Sequence, residues 1–277
     1  MMKKKFDYNQ RVWGMGEARL SPVNWGALNL KYCLEALKEV RGRVLEVGCG
    51  GGVFTRGIKH HRPDLDLVGL DISQKSIRFA RSASSKKIKF IKGDVYRLPF
   101  KNDSFEAVVC FDLLEHLEAP EKALGEIKRV LKNEGVFYSV VPLEGSLFTF
   151  HGWLWRLFRL NLKEKQIGHI QRFTLRELFG LLERSGLRPV SHKYTRHLFI
   201  ESVEVIYRFW RHFSNKGNEN DPFSAEEELR GLKRSWPKNL LILPLNAIIS
   251  LSFLESWFFE KIPGHTVGII AKRIKIE

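Results

Sequence analysis

Val44-Leu45-Glu46-Val47-Gly48-Cys49-Gly50-Gly51-Gly52-Val53-Phe54 decides the fold of this chain. An apolar run with the period of a buried strand enters a glycine-rich turn, and a helix follows. Glu46 stands just before the first glycine. Glycines let backbone N–H groups approach a ligand that a Cβ would hold off. The stretch is therefore a candidate nucleotide cradle.

A dinucleotide cradle needs G-x-G-x-x-G, with the third glycine allowing close helix–strand packing. Counted from Gly48, that place is taken by Val53, so the match fails. The pattern that fits is Glu-x-Gly-x-Gly-x-Gly at Glu46, Gly48, Gly50 and Gly52. It resembles motif I of the class I S-adenosylmethionine (SAM)-dependent methyltransferases. Further matches follow in the order that fold requires. The next strand, Leu65 to Leu70, closes in Asp71. An acid about 20 residues beyond the glycines can accept hydrogen bonds from ribose hydroxyls. A third strand, Lys89 to Lys92, leads to Gly93-Asp94-Val95. Asp103-Ser104-Phe105-Glu106 resembles the family's entry to strand four, with Glu106 where a second Asp is usual. Asp112-Leu113-Leu114-Glu115-His116-Leu117 looks like the segment after strand four in the UbiE/menaquinone-type branch (methyltransferase type 11).

The resemblance implies an α/β, Rossmann-like class I methyltransferase fold. Its sheet is seven-stranded and mostly parallel, with the last strand antiparallel, and a helical aromatic-rich insert is added. It implies SAM as cofactor and S-adenosylhomocysteine as product. The cofactor-binding residues it points to are Glu46, Gly48, Gly50, Gly52, Asp71, Ile72, Asp94, Val95, Phe111 and Asp112. Asp94 is the expected reader of the adenine amino group.

Composition narrows the class. The chain has 277 residues with 44% hydrophobic content, enough for one large α/β core. Cys33, Cys49 and Cys110 are odd in number and widely spaced, with no C-x-x-C, so neither a disulfide framework nor a zinc site is expected. No metal ligand set is read from the sequence. The basic start Met1-Met2-Lys3-Lys4-Lys5 lacks an apolar h-region and does not read as a signal peptide. A cytoplasmic setting fits, with contact at the inner membrane face as its extension. A net charge of +15 suits either a polyanionic partner or a merely lysine-rich surface.

The pattern divides the chain into an N-terminal helical lid (1–40), a core (41–195 and 264–277) and a helical insert (196–263). Tyr8 and Trp13 are candidate lid contacts. Ser73 reads as the N-cap of a helix reaching about Ser84, and Pro120 suits a first helical turn. Ala123, Leu124, Ile127, Val130 and Leu131 form that helix's buried stripe. Strand five is expected over Gly135 to Val141. Thr174-Leu175-Arg176-Glu177 is a capping box, and Gly186 ends its helix. Leu187 to Tyr194 and His265 to Ile274 read as the last two strands.

No tryptophan lies between Trp25 and Trp153, so the aromatic load falls on the added segments. Leu147 to Leu160 is apolar and aromatic with basic punctuation. Phe199, Val203, Ile206, Trp210 and Phe213 recur at helical spacing. Asn239 to Leu254 carries no charge and is flanked by Trp236, Lys238, Trp257, Phe258, Phe259 and Lys261. It is short of the ~20 apolar residues of a span and holds Pro244 and Asn246. A buried cap helix and an interfacial helix both suit it.

Transfer from a sulfonium is an in-line displacement, so alignment is the protein's main task. A general base is needed only where the acceptor loses a proton. His169, in Gly168-His169-Ile170-Gln171-Arg172-Phe173-Thr174, is the catalytic candidate, because relatives show a similar pattern facing the acceptor. His116 reads as cofactor-side packing and Cys110 as a core strand residue. Three functions remain open. One is a methyltransferase for a large apolar or amphiphilic acceptor, lipid-linked or isoprenoid, at an anionic membrane. A second is a soluble small-molecule enzyme with a lid. The third is an RNA-binding protein, an RNA methyltransferase or a SAM-binding module without turnover. For the third, no appended RNA-binding motif is visible.

Overall fold

The computed structural model describes residues 12–21, 26–85, 87–146, 168–197 and 242–274. A seven-stranded sheet forms the centre. Its strands are β1 (Arg43–Val47), β2 (Asp66–Asp71), β3 (Lys89–Lys92), β4 (Phe105–Phe111), β5 (Leu131–Pro142), β6 (Leu187–Thr195) and β7 (Thr266–Arg273). The order across the sheet is β3-β2-β1-β4-β5-β7-β6. The first five strands are parallel, and β7 runs antiparallel to both β5 and β6. The chain leaves β1 toward β2 and β3, then returns to the other side of β1 with β4. That reversal opens a crevice at the carboxyl ends of β1 and β4, where open α/β sheets take their ligands.

The parallel strands are apolar because both faces are covered. In β4, Phe105, Ala107, Val108, Val109, Cys110 and Phe111 are all buried. One face packs with α4 (Pro120–Val130) and α5 (Leu175–Arg184) through Ala123, Leu124, Ile127, Leu178, Leu181 and Leu182. The other packs with α1 (Ala27–Ala36), α2 (Val53–His61) and α3 (Gln74–Ser82) through Leu30, Ile58, Ile77 and Ala80.

Local signals fix the ends. Ser73 Oγ accepts from Ser76 N at 3.2 Å and caps α3. Thr174 and Glu177 form the reciprocal capping box, with Glu177 N to Thr174 Oγ1 at 3.3 Å and Thr174 N to Glu177 Oε2 at 2.8 Å. Two boundaries differ from the sequence reading. Strand β5 begins at Leu131, which the helical stripe had included; Leu131 is buried but pairs with Phe105. Of the N-terminal lid, only α1 is helical among the described residues, and 12–21 is irregular. Glu106, the departure from the family pattern, accepts from Arg43 N at 2.7 Å and pairs with Lys132 Nζ. It therefore ties together the amino-terminal ends of β1, β4 and β5, opposite the crevice.

Helix α6 (Ile242–Phe258) occupies the uncharged run. No helix among the described residues is long and apolar enough to cross a membrane. The 147–160 stretch and the Phe199–Phe213 stripe lie outside the described residues, as does Tyr8.

Candidate active site

The glycine turn hangs from the end of β2. Gly48 N and Cys49 N both donate to Leu70 O, at 2.7 and 3.0 Å. Gly50 has φ +53°, and a Cβ there would lie 2.7 Å from the Trp13 carbonyl oxygen. Gly52 caps α2 in the left-handed region at φ +82°. No other residue type fits both demands. The N-terminal segment lies across this turn. Gly51 N donates to Trp13 O at 2.6 Å, and Ala18 N donates to Val53 O at 3.1 Å. Arg56 on α2 clamps it, donating to Gly51 O at 2.6 Å, to Met15 O at 3.1 Å and to Gly16 O. Arg56 escaped the sequence reading, because a lone arginine after a glycine turn looks like any surface charge.

Asp71 ends β2 facing the same turn. Its Oδ2 accepts from Gly50 N and its Oδ1 from Ser73 N, both at 2.8 Å. Each carboxylate oxygen keeps a second lone pair. Burial pushes its carboxyl above the ordinary range, and these two N–H bonds pull against that. Next to it, Ile72 is 54% exposed. Asp94 is exposed and holds Tyr96 N through Oδ1 at 2.9 Å. Val95 is buried below it.

Glu46 is 3% exposed in the middle of the sheet, between Gly69 and Val109. Burial pushes its carboxyl up to about 8, with a hydrogen bond from the Thr55 hydroxyl opposing. Phe111 stacks on Phe54 at 3.8 Å and 9°, with Tyr138 at its edge, so its ring belongs to the core. Asp112 then takes φ +48° and donates its N–H to Val140 O at 3.0 Å. A non-glycine residue held left-handed at a strand tip is strained, and such strain gathers at functional sites.

Beyond Asp112 a 3-10 turn, Leu114–His116, brings in a polar cluster. His169 Nδ1 lies 2.8 Å from Glu144 Oε1, and its Nε2 lies 3.9 Å from Glu115 Oε1. His116 Nδ1 lies 3.1 Å from Gly168 O. The two imidazoles meet edge to face, 4.7 Å between ring centres. Ile170 N and Gln171 N both donate to Glu115 O at 2.9 Å, which staples the His169 loop to the 3-10 turn. Burial first, and the neighbouring His169 second, hold His116 down at about 3, so its ring is neutral. Sequence reading found His169 and His116 separately. It missed Glu144, whose only signal is its place two residues after the proline closing β5.

The three cysteines are buried, and burial pushes each thiol up. None is a nucleophile at neutral pH.

This strand order, with a glycine turn after β1 and an acid closing β2, is that of an open α/β domain with a ligand crevice at its strand ends, and comparison with known proteins gives its likeness. Residues 45–139 match the family described as "Methyltransferase domain". The sterol 24-C-methyltransferase of Gibberella zeae is 28% identical over 155 residues, 54% of this chain and 40% of that protein. The demethylmenaquinone methyltransferase of Thermotoga maritima is 30% identical over 148 residues, 53% of this chain and 61% of that protein. The chain thus spans about half the length of these curated relatives. In fold it is similar to the phosphoethanolamine N-methyltransferase 2 of Haemonchus contortus, solved with phosphomonomethylethanolamine and S-adenosylhomocysteine. There the TM-score is 0.57 at 15% identity, covering 95% of this chain and 56% of that one. Residues 45–139 are thus similar to a methyltransferase domain, and the fold is similar to that of methyltransferases solved with S-adenosylhomocysteine or S-adenosylmethionine.

Proposed function

We propose that this chain transfers the SAM methyl group to a large apolar or amphiphilic small molecule taken up at an anionic membrane surface. The observation that carries the acceptor reading is the outward face of the end of α6 and of the turn that follows it. Leu251, Leu254, Trp257, Phe258, Phe259 and Ile262 are each at least 46% exposed, and Phe258 reaches 71%. The side turned inward carries the buried Ser252 and Ser256 beside Phe253, which packs against the core. One phenylalanine faces the core while a contiguous group of larger apolar side chains faces outward, which is more apolar surface than a cap over its own core requires.

The helix is fastened at the edge of the sheet near the His169 cluster, where this reading puts the acceptor. Ser256 Oγ accepts from Arg196 N at 3.1 Å and pairs with His197 Nδ1 at 3.2 Å. His197 Nε2 meets Ile262 O at 2.9 Å. His265, which follows, accepts through its carbonyl from Leu143 N at 2.7 Å, next to Glu144. Apolar surface and polar cluster therefore share one edge. Two relatives are named for a sterol and for demethylmenaquinone, which accords with an apolar acceptor.

In this reading the glycine turn, Asp71, Ile72, Asp94, Val95 and Asp112 hold SAM. Asp71 takes the ribose hydroxyls on its remaining lone pairs, and Ile72 lies under the adenine. Glu46 and Phe111 act from behind: Glu46 through Thr55 and the base of α2, Phe111 by fixing the backbone that presents Asp112. His169 faces the acceptor and acts through Nε2, since its Nδ1 is committed to Glu144. Purified protein with SAM and vesicles carrying a prenylated phenol, a sterol or neither is the test, read by mass spectrometry. A one-methyl gain on a lipid-borne acceptor supports the reading. Turnover only on small water-soluble acceptors, unaffected by vesicles, refutes it in favour of a soluble enzyme with a lid.

A further inference from the structure

The polar cluster has a geometry that proton transfer alone does not explain. His169 Nε2 and Glu115 Oε1 are 3.9 Å apart, too far for a hydrogen bond. Two ligands of one ion, each on a bond of about 2.1 Å, sit roughly 3.0–4.2 Å from one another. One ligand atom each from Glu115, His116 and His169 falls within a 4.8 Å span. Closing onto an ion requires side-chain movement of about 1 Å or less. The imidazole rings agree. Two histidines bound side by side on one ion have ring centres on the order of 4.5–5 Å apart; here they are 4.7 Å apart, with planes at 84°.

The outer contacts point the same way. A metal-bound histidine nearly always gives its other N–H to a carboxylate or a backbone carbonyl, which fixes the tautomer. Both arrangements are present. His169 Nδ1 meets the Glu144 carboxylate at 2.8 Å, and His116 Nδ1 meets the Gly168 carbonyl at 3.1 Å. Each ring is thereby set with its lone pair on Nε2. Glu115 and Glu144 are buried at 0% and 4% exposure, and two buried carboxylates favour a cation between them and the imidazoles. The staples from Ile170 N and Gln171 N to Glu115 O keep the two ligand-bearing segments in register.

We propose that Glu115, His116 and His169 bind a divalent transition-metal ion at the acceptor side, with Glu144 orienting His169 from behind. Two imidazoles and one carboxylate select Mn²⁺, Fe²⁺, Co²⁺ or Zn²⁺ over Mg²⁺ or Ca²⁺. Three protein ligands leave positions open for an oxygen of the acceptor, which the ion orients toward the sulfonium methyl. The assignment of that role rests on the methyl-transfer reading above; the binding of the ion does not.

The test is calorimetry of chelator-treated full-length protein with Zn²⁺, run beside a SAM titration of the same sample. One ion per chain is expected. Glu115→Gln and His169→Asn should abolish that binding, and Glu144→Gln should weaken it about 10- to 100-fold. Pulsed EPR of the wild-type protein loaded with Mn²⁺ should show coupling to two imidazole nitrogens, which keeps the proposal testable if a variant fails to fold. SAM binding without ion binding overturns the site and leaves methyl transfer standing. Ion binding without SAM binding supports the site and removes methyl transfer. Ion binding that the variants leave unchanged, or EPR without imidazole coupling, places the ion elsewhere and overturns the proposal.

Discussion

Asp71 does two jobs with one carboxylate. It holds the glycine turn through Gly50 N and starts the α3 loop through Ser73 N, and in the proposed function its remaining lone pairs take the ribose hydroxyls. Asp71→Ala removes a charge-assisted acceptor, which typically costs about 1.5–3 kcal/mol, or roughly 10- to 150-fold in SAM affinity. Calorimetry on a variant that melts as a folded protein checks this; unchanged affinity would leave the ribose to another residue. Glu46 supplies a second prediction at this scale. The unfolded chain gives up this proton near 4.5, while burial lets the folded chain keep it to about 8. Between those values the native state binds the extra proton, so stability falls as pH rises and levels off above about 8. Glu46→Gln should flatten that slope in urea midpoints taken across the window. An unaltered slope would mean that Glu46 ionises in the folded protein near its ordinary value.

The elements were the most legible part of the sequence. Strand β3 falls on Lys89–Lys92 as the pattern predicts, Pro120 opens α4, and the capping box opens α5. These are local signals, carried by residues within four positions of one another. Thr174→Ala removes one half of the box and should cost about 1 kcal/mol in chemical denaturation. No loss would mean that the helix is held by Leu178, Leu181 and Leu182 alone. Strand β5 was misread at its start because Leu131 fits the helical stripe and the strand pairing equally well; only its partner Phe105 decides. The residues proposed for the cofactor side follow strand ends in a fixed order, so a local pattern is enough to name them. The Glu115–Glu144–His169 cluster was not legible, since it joins loops after two neighbouring strands, and no spacing rule links positions so far apart. Arg56 was hidden for a related reason: its partners are backbone carbonyls of a segment some forty residues earlier, which carry no side-chain signature.

Across the whole molecule, a net charge of +15 and an apolar outer face on α6 make two separable contributions to surface binding. Lysine and arginine near an anionic leaflet contribute about 1 kcal/mol each, and that attraction falls off within a Debye length. Salt shortens this length from about 10 Å at 0.1 M to about 3 Å at 1 M. Aromatic area buried among lipid chains is insensitive to salt. Trp257 and Phe258 stand together with ring centres 5.0 Å apart, and His197 and Ile262 fix that end of the helix. The protein should therefore co-sediment with anionic vesicles at low salt and keep a reduced, salt-resistant fraction at high salt. Replacing Trp257 and Phe258 by Ser should remove the resistant fraction while the low-salt binding persists. SAM affinity should be unchanged in that variant, because α6 is tied to β6 and to the start of β7 and not to the glycine turn. No sedimentation at low salt would sink the membrane reading. A loss of SAM affinity in the double variant would instead make α6 part of the cofactor site.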